Sequence, residues 1–361
     1  MSVHPNIEYL GLAQILHKGM LECESVVPAY HVPQGPFGVI LNANAGRVTP
    51  RLAKNISRVV KPDHVFLTES PEHAKEVVEL CLEREYRTVF AGGGDGTIMD
   101  TVNTLNAYRT DVNHLPNVGV LRLGTGNALA RMLRSRRSPS RDLATFQAGD
   151  VHRSHTMRMM TCDDTLFPFG GLGIDAAVLN DYYSMKNRWK DTRLSPLFKG
   201  LSGYVLASFS KTVPTLLKQQ MPEVTVINTG GPAYKMDKDG NEIGEVVPTG
   251  QVLYQGPCSF LGGGTTEIIG YGVRLFPQAT QRAGRFQLRL LSLTPWECMK
   301  NFLPAVRGTL HHPKVHDFYV DSVKVIFNEE VPFQLGGDPK GYRSEVNFGL
   351  SEHPINFIGR A

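Results

Sequence analysis

The sequence predicts an α/β domain built on a parallel sheet, followed by a domain rich in antiparallel β structure. Three observations carry this. Between Gly38 and Leu123 short apolar runs alternate with amphipathic helical stretches. Beyond about residue 150 the helical period gives way to short strand-like runs separated by Gly, Pro and Asp clusters. The chain has 361 residues, 41% apolar and 20% charged, enough for about two domains with sizeable cores. The expected division is an extension over 1–35, a first domain over 36–150 and a second over 151–361.

In the first domain GVILN (38–42), HVFLT (64–68), TVFAG (88–92) and VGVLRL (118–123) are apolar runs that end in polar or Gly signals, as buried strands do. Ser70 followed by Pro71 marks a helix start. Ala74, Val77, Val78, Cys81 and Leu82 then fall on one face of that helix. Ile98, Val102 and Leu105 repeat the period after the third strand, and Leu52, Ile56, Val59 and Val60 after the first. Strand–helix repetition predicts a parallel sheet covered on both faces. In the second domain RSHTMRMMTC, TLFPFGGLGI, EVTVIN, QVLYQG, RFQLRLLSL and SVKVIF read as antiparallel strands. Helices are expected over about 195–218 and 295–306. DKDGNEIGE (237–245) reads as a solvated hairpin turn, because Gly240 falls where no calcium loop would place it. In the extension, Ile7, Leu10, Leu12, Ile15, Leu16 and Met20 suggest an apolar helix face that packs on the body.

Composition narrows the function classes. Net charge is +4, from 38 basic and 34 acidic residues, too mild to imply nucleic acid; no basic stretch is interleaved with aromatics either. The five cysteines are scattered without zinc-type spacing, which suits a reducing cytoplasm. The start of the chain lacks the pattern of a signal peptide, and no run approaches the length of a membrane span.

The strongest chemical signal is AGGGDGTIMDTV (91–102), which follows a strand and opens a helix. Gly92, Gly93, Gly94 and Gly96 let the backbone approach a ligand closely, and the helix N-terminus beyond them attracts phosphate. Asp95 stands inside this loop, where an acid would repel a bare phosphate. It therefore needs Mg²⁺ or a hydroxyl proton to accept, both roles in phosphoryl transfer. The bland alternative is an Asp-Gly turn, but a run of four Gly around it is entropically costly for routine use. A second loop, LRLGTGNALAR (121–131), brings Gly124, Thr125, Gly126 and Asn127 after the next strand. NANAG (42–46) and Thr68 end the first two strands, so four successive strands carry polar or Gly residues at one edge, where α/β sheets bind ligands. The absence of GxxxxGK[ST], of GxGxxG with its distant acid, and of HRD with DFG sets aside P-loop enzymes, dinucleotide oxidoreductases and protein kinases.

GGDGT after a strand, followed about 30 residues later by GTGN, resembles the double signature of the diacylglycerol kinase and sphingosine kinase catalytic superfamily. The resemblance extends over most of 36–350, through NANAG (42–46), Thr68, GLGIDAAV (171–178), GGG…RLFPQA (262–279) and RGTLHHPKV (307–315). It implies an ATP-binding α/β domain plus a β-rich domain, with ATP and Mg²⁺ in the cleft between them. By that likeness Asn42, Asn44, Gly46 and Thr68 would line the nucleotide pocket. Gly92, Gly93, Gly94, Asp95, Gly96 and Thr97 would hold the phosphates, and Gly124, Thr125, Gly126 and Asn127 the other side of the nucleotide. Asp95 would activate the acceptor hydroxyl. Asp175 would contact the lipid head group, or alternatively cap a turn. In LGGDPKG (335–341), similar to the family's D-G-E, Asp338 stands for the Glu as base or Mg²⁺ ligand.

Three departures stand out. Gly336 replaces the first acid of D-G-E. AGRF (283–286) replaces a D-G turn that holds a structural Mg²⁺ in many bacterial relatives. Ala128 replaces the Asp of GTGND. With Asp95 and Asp338 retained, the resemblance implies transfer of the γ-phosphoryl of ATP to a lipid hydroxyl, with diacylglycerol as default acceptor and a sphingoid base or ceramide as the close alternative. A catalytically impaired lipid- or nucleotide-binding protein and a soluble small-molecule kinase remain as rivals. Two basic clusters, Arg131, Arg134, Arg136, Arg137 and Arg141, then Lys186, Arg188, Lys190, Arg193 and Lys199, suggest docking on an anionic membrane surface; a solvated face or contacts to phosphate serve equally. The expectation is a cytoplasmic protein at the inner face of the membrane, and a homodimer is left open.

Overall fold

The fold is known from a computed structural model, which describes residues 35–110, 114–124, 126–149, 152–188, 212 and 220–360. The apolar face expected in 1–35, all of the helix expected over 195–218 except Thr212, and Thr125, Cys23, Lys190, Arg193 and Lys199 lie outside these residues.

The first domain alternates strand and helix in the order β1 (Phe37–Asn42), α1 (Pro50–Ile56), β2 (Val65–Thr68), α2 (Pro71–Glu83), β3 (Thr88–Gly93), α3 (Asp95–Ala107), β4 (Asn117–Arg122), α4 (Ala128–Met132) and α5 (Pro139–Gln147). Strands β2, β1, β3 and β4 pair in parallel in that spatial order. All six residues of β3 are buried, as expected of a strand covered on both faces. Val89 and Ala91 face a core with Val77, Val78 and Cys81 of α2 and Ile98, Val102 and Leu105 of α3. Phe90 faces the opposite core, with Ile56 of α1 and Leu143 and Phe146 of α5. Helix α2 starts as its sequence requires: Ser70 accepts the His73 N–H at 3.1 Å, and Pro71 occupies the first turn.

Two strands from beyond residue 150 complete this sheet. β5 (His152–Met157) forms its edge, and β17 (Ile355–Arg360) lies between β4 and β5, parallel to β4 and antiparallel to β5. The expected boundary at 150 thus does not divide the strands: the C-terminal strand buries Phe357 and Ile358 in the two cores of the first domain.

The second domain comprises β6 (Met160–Cys162), β7 (Thr165–Phe167), β8 (Phe169–Gly173), α6 (Ile174–Arg188), β9 (Glu223–Asn228), β10 (Tyr234–Met236), β11 (Val252–Pro257), β12 (Phe260–Gly264), β13 (Phe286–Leu291), α7 (Pro295–Lys300), α8 (Phe302–Arg307), β14 (Val315–Val320), β15 (Ser322–Leu335) and β16 (Asp338–Leu350). Its antiparallel sheet runs β10-β14-β13-β12-β8-β15-β16-β6-β7, with β9 and β11 attached beside β15. An irregularity between Ile326 and Val331 lets the first half of β15 pair with β9 and its last residues with β8. The α/β-then-antiparallel architecture is the one the sequence predicts.

Two local expectations change. The helix expected over 295–306 is two short helices that meet at Asn301; Thr294 and Glu297 form a capping box on α7, and Gly308 ends α8 at φ +73°. At AGRF, Arg285 forms an ion pair with Asp321 and donates to the Pro232 carbonyl, so the chain's own charges hold this turn. The hairpin at 237–245 is as expected: Asp237 accepts the N–H groups of Asp239 and Asn241, each at 2.9 Å. Ala128 of α4 packs with Phe169, Phe260, Phe276 and Leu310, which joins the two domains beside the glycine loops. Among the described residues, no helix is long and apolar enough to cross a membrane.

Candidate active site

The carboxyl ends of β1, β3 and β4 open on a polar cleft of about 580 Å³. Asn42 ends β1 and bridges two turns: its Nδ2 donates to Thr97 Oγ1 at 2.8 Å, and its Oδ1 accepts the Asn44 N–H at 2.8 Å. Asn44 Nδ2 in turn donates to the Glu69 carbonyl. Gly94 caps α3 and Gly124 follows β4; a Cβ on Gly124 would stand 2.3 Å from the Gly94 Cα, so the two loops touch only because Gly124 carries no side chain. Asn127 adopts φ +54° and closes the second loop on itself, accepting the Gly124 N–H at 3.0 Å and donating to the Gly124 carbonyl.

The expected pocket residues divide by place. Asn42, Asn44, Gly46, Gly94, Gly124 and Asn127 line the polar cleft. Gly92 and Gly93 lie within buried β3, where a Cβ would strike Leu41 and Thr97. Thr97 positions Asn42 and lines neither cavity. Thr68, only 2% exposed, bonds to the Leu41 carbonyl and is placed as a strand-end residue away from the cleft. Thr125 lies outside the described residues.

A second, mainly apolar cavity of about 450 Å³ runs into the second domain between α6, α7, α8 and the β-sheet. Gly94 and Lys186 line both cavities. Asp95, Gly96, Gly126, Asp175 and Asp338 stand on the wall of the apolar one, amid Val178, Leu179 and Phe302.

Asp95 opens α3. The backbone N–H groups of Ala128, Leu129 and Asn127 at the start of α4 favour its charged form, which couples one glycine loop to the other electrostatically. Burial raises its pKa above the ordinary carboxylate value; the three N–H groups oppose this and Asp338 adds to it. Its Oδ1 is buried and has no hydrogen-bond partner among the described residues. Asp338 follows the Gly336–Gly337 turn, whose φ values of +61° and +88° suit a two-residue hairpin. Its Oδ2 is 3.6 Å from the position a Cβ would take on Gly96. The side chain is open to solvent on one side and walled by protein on the other; desolvation raises its pKa while Lys340 lowers it. Asp175, in the first turn of α6, accepts from Gln334 Nε2 at 2.9 Å, and burial pushes its pKa up to about 6.

Sequence reasoning missed four participants. Arg47 and Arg122 line the polar cleft, with Arg47 Nη1 3.4 Å from the Arg122 carbonyl. Arg47 directly follows NANAG and Arg122 ends β4, so the signal was a cation at the edge already singled out. Gln334 orients Asp175, and Asp100, with a raised pKa from burial and from Asp338, flanks the site. Arg137 and Lys186, assigned to basic surface clusters, also line the cleft.

Residues 36–159 match the family model of the diacylglycerol kinase catalytic domain. The probable lipid kinase YegS-like of Yersinia enterocolitica is 24% identical over 289 residues, covering 78% of this chain and 83% of the relative. The chain is thus similar to bacterial probable lipid kinases over most of its length, and to the diacylglycerol kinase catalytic domain over residues 36–159. It is also 26% identical to the probable lipid kinase YegS of Escherichia coli, over 76% of its own length and 79% of the relative's. It is 27% identical to Diacylglycerol kinase 2 of Arabidopsis thaliana over 42% of its length, and spans only 24% of that plant protein. A crystal structure of a diacylglycerol kinase from Bacillus anthracis shares the fold, with a TM-score of 0.60 at 14% identity over 91% of this chain and 98% of that one.

Proposed function

We propose that this lipid kinase-like protein transfers the γ-phosphoryl group of ATP to the hydroxyl of a lipid, with diacylglycerol as the default acceptor. One observation carries the reading: a cationic cleft and an apolar cavity meet at Gly94 and Lys186, with Asp95 and Asp338 at the junction. The cleft suits the phosphates of ATP, held by the loop N–H groups, the α3 N-terminus and the surrounding cations. The apolar cavity suits acyl chains, whose hydroxyl end would meet the carboxylates. Asp95, with its free buried Oδ1, accepts the hydroxyl proton as the oxygen attacks the γ-phosphorus, the bond from that phosphorus to the β-phosphate oxygen breaks, and ADP leaves.

Among the described residues, no cluster of three or more His, Cys, Asp or Glu is arranged to hold a metal by itself. Asp95 and Asp338 still fit Mg²⁺, since that ion is commonly held by one or two carboxylates together with substrate phosphates. When bound it would offset phosphate charge; Asp338 is the more accessible of the two carboxylates for holding it.

The carboxyl group of Asp175 inside an apolar cavity, its Oδ1 buried without a partner, favours a second reading in which the acceptor carries an amine, as a sphingoid base does. We place the membrane contact at α7 and α8. Their inner residues Met299, Phe302 and Val306 line the apolar cavity, while Trp296 and Leu303 are 53% and 59% exposed, with Lys300 Nζ over the Trp296 ring. Aromatic, aliphatic and cationic side chains side by side suit an anionic lipid interface.

The test is labelled-phosphate transfer from ATP into mixed micelles of diacylglycerol, ceramide or sphingosine, with and without Mg²⁺, beside Asp95→Asn. A labelled lipid that depends on Asp95 supports the kinase and names its acceptor. No label in any lipid, with ATP bound, overturns it in favour of a soluble acceptor or a binding-only protein.

A further inference from the structure

Four cations, Arg47, Arg122, Arg137 and Lys186, line the polar cleft, and among the described residues none is ion-paired to a carboxylate. They crowd one another. Arg122 has a buried Nε without a hydrogen-bond partner, and its pKa is lowered by burial and then by Arg131, Arg137 and Arg47. Holding like charges this close is unfavourable unless a multiply charged anion sits among them. The N-terminus of the 13-residue helix α3 points the same way, with Gly94 at its cap.

The rest of the wall offers little to a nucleobase. No aromatic side chain lines the cleft among the described residues, and Leu123 is its bulkiest apolar group. The amides that would read base edges are engaged by the protein. Asn42 bonds Thr97 and Asn44, Asn44 bonds the Glu69 carbonyl, and Asn127 bonds both backbone groups of Gly124. Among the described residues the cleft therefore offers no aromatic platform and no free side-chain amide donor; its Arg guanidinium planes can stack on any base alike and do not tell one from another.

We propose that this cleft recognises its ligand through a chain of phosphates and is indifferent to the base, so that ATP, GTP, CTP and inorganic tripolyphosphate compete for one site. The inference rests on reading the cleft as the phosphoryl-donor site. Arg47, Arg122, Arg137 and Lys186 are then the specificity residues, selecting donors by the number of linked phosphates.

The experiment is a binding titration of the full-length protein, without lipid, using a fluorescent ATP analogue displaced by ATP, GTP, CTP, tripolyphosphate, orthophosphate and adenosine. The expected result is that the three nucleotides agree within about threefold and that tripolyphosphate lies within about tenfold of them. Adenosine and orthophosphate should be at least about 100-fold weaker. Arg122→Gln and Arg137→Gln should weaken every triphosphate and tripolyphosphate by the same factor, about tenfold or more. Adenosine competing as well as ATP, GTP or CTP failing where ATP binds, or tripolyphosphate binding unchanged in both variants would each overturn the proposal. Because no lipid is present, displacement by tripolyphosphate here, together with no labelled lipid in the separate micelle assay, would leave this inference standing and remove the kinase reading alone.

Discussion

Gln334 donates from Nε2 to Asp175 Oδ2 at 2.9 Å, and so ties strand β15 to the first turn of helix α6. The same amide accepts the Gly337 N–H at 2.9 Å, which places the Gly336–Gly337 turn and with it Asp338. One buried side chain therefore orients two of the three carboxylates on the apolar cavity. Gln334→Ala should lower turnover more than it lowers donor affinity; steady-state kinetics varying ATP and lipid separately would read the split.

Asp175 carries a pH signature. Its pKa is about 6 in the fold against an ordinary 3.8, because burial disfavours the charged form. Between these values the folded chain binds a proton that the unfolded chain has released. Stability therefore falls as pH rises through this window and stays lower above it, by on the order of 2–3 kcal/mol. Thermal melts from pH 4 to 7 should show this fall in the wild type and a flatter profile in Asp175→Asn. A bound amine would reverse the sign of the ligand effect, so sphingosine should stabilise the protein most above pH 6.

Asp95→Asn should reduce phosphoryl transfer by about 100-fold or more, the loss typical of a removed general base. The variant retains an oxygen for the α4 N–H groups but loses the charge they favour, so a modest drop in melting temperature should accompany it. Retained turnover in that variant would assign the proton to Asp338 or to solvent.

Gly124→Ala drives a methyl group to 2.3 Å from the Gly94 Cα and 3.0 Å from the Gly93 carbonyl oxygen. Backbone on both sides leaves no flexible group to move, so the two glycine loops must separate. Triphosphate affinity should fall at least about tenfold, measured by the same displacement titration.

Trp296→Ser combined with Leu303→Ser should cut binding to anionic phospholipid vesicles by about tenfold or more, with an unchanged melting temperature because both side chains face solvent. Vesicle sedimentation at two salt concentrations would separate this apolar contribution from the charge of Lys300 and Arg307.

The four parallel strands, the helix at Pro71 and both glycine loops were legible because each is a local pattern: an apolar run, a cap, a Gly cluster. Asp95 was legible for the same reason. Contacts made across the chain were not. Nothing near residue 355 signals that β17 enters a sheet begun at Phe37, and Gln334 looks like any polar residue in a strand until β8 places Asp175 beside it. Thr68 carried the right spacing, yet its side chain turns to the Leu41 carbonyl. The cations of the cleft were hidden by distance: Arg47, Arg122, Arg137 and Lys186 belong to four separate segments, and only the fold gathers them.

The central place of β17 also bears on how the chain is made. Until β17 has been synthesised, β4 has no partner on its outer side, and an apolar strand edge from Val118 to Leu121 stays open. The domain that begins first is thus completed last, and its assembly waits on the strand that seals it.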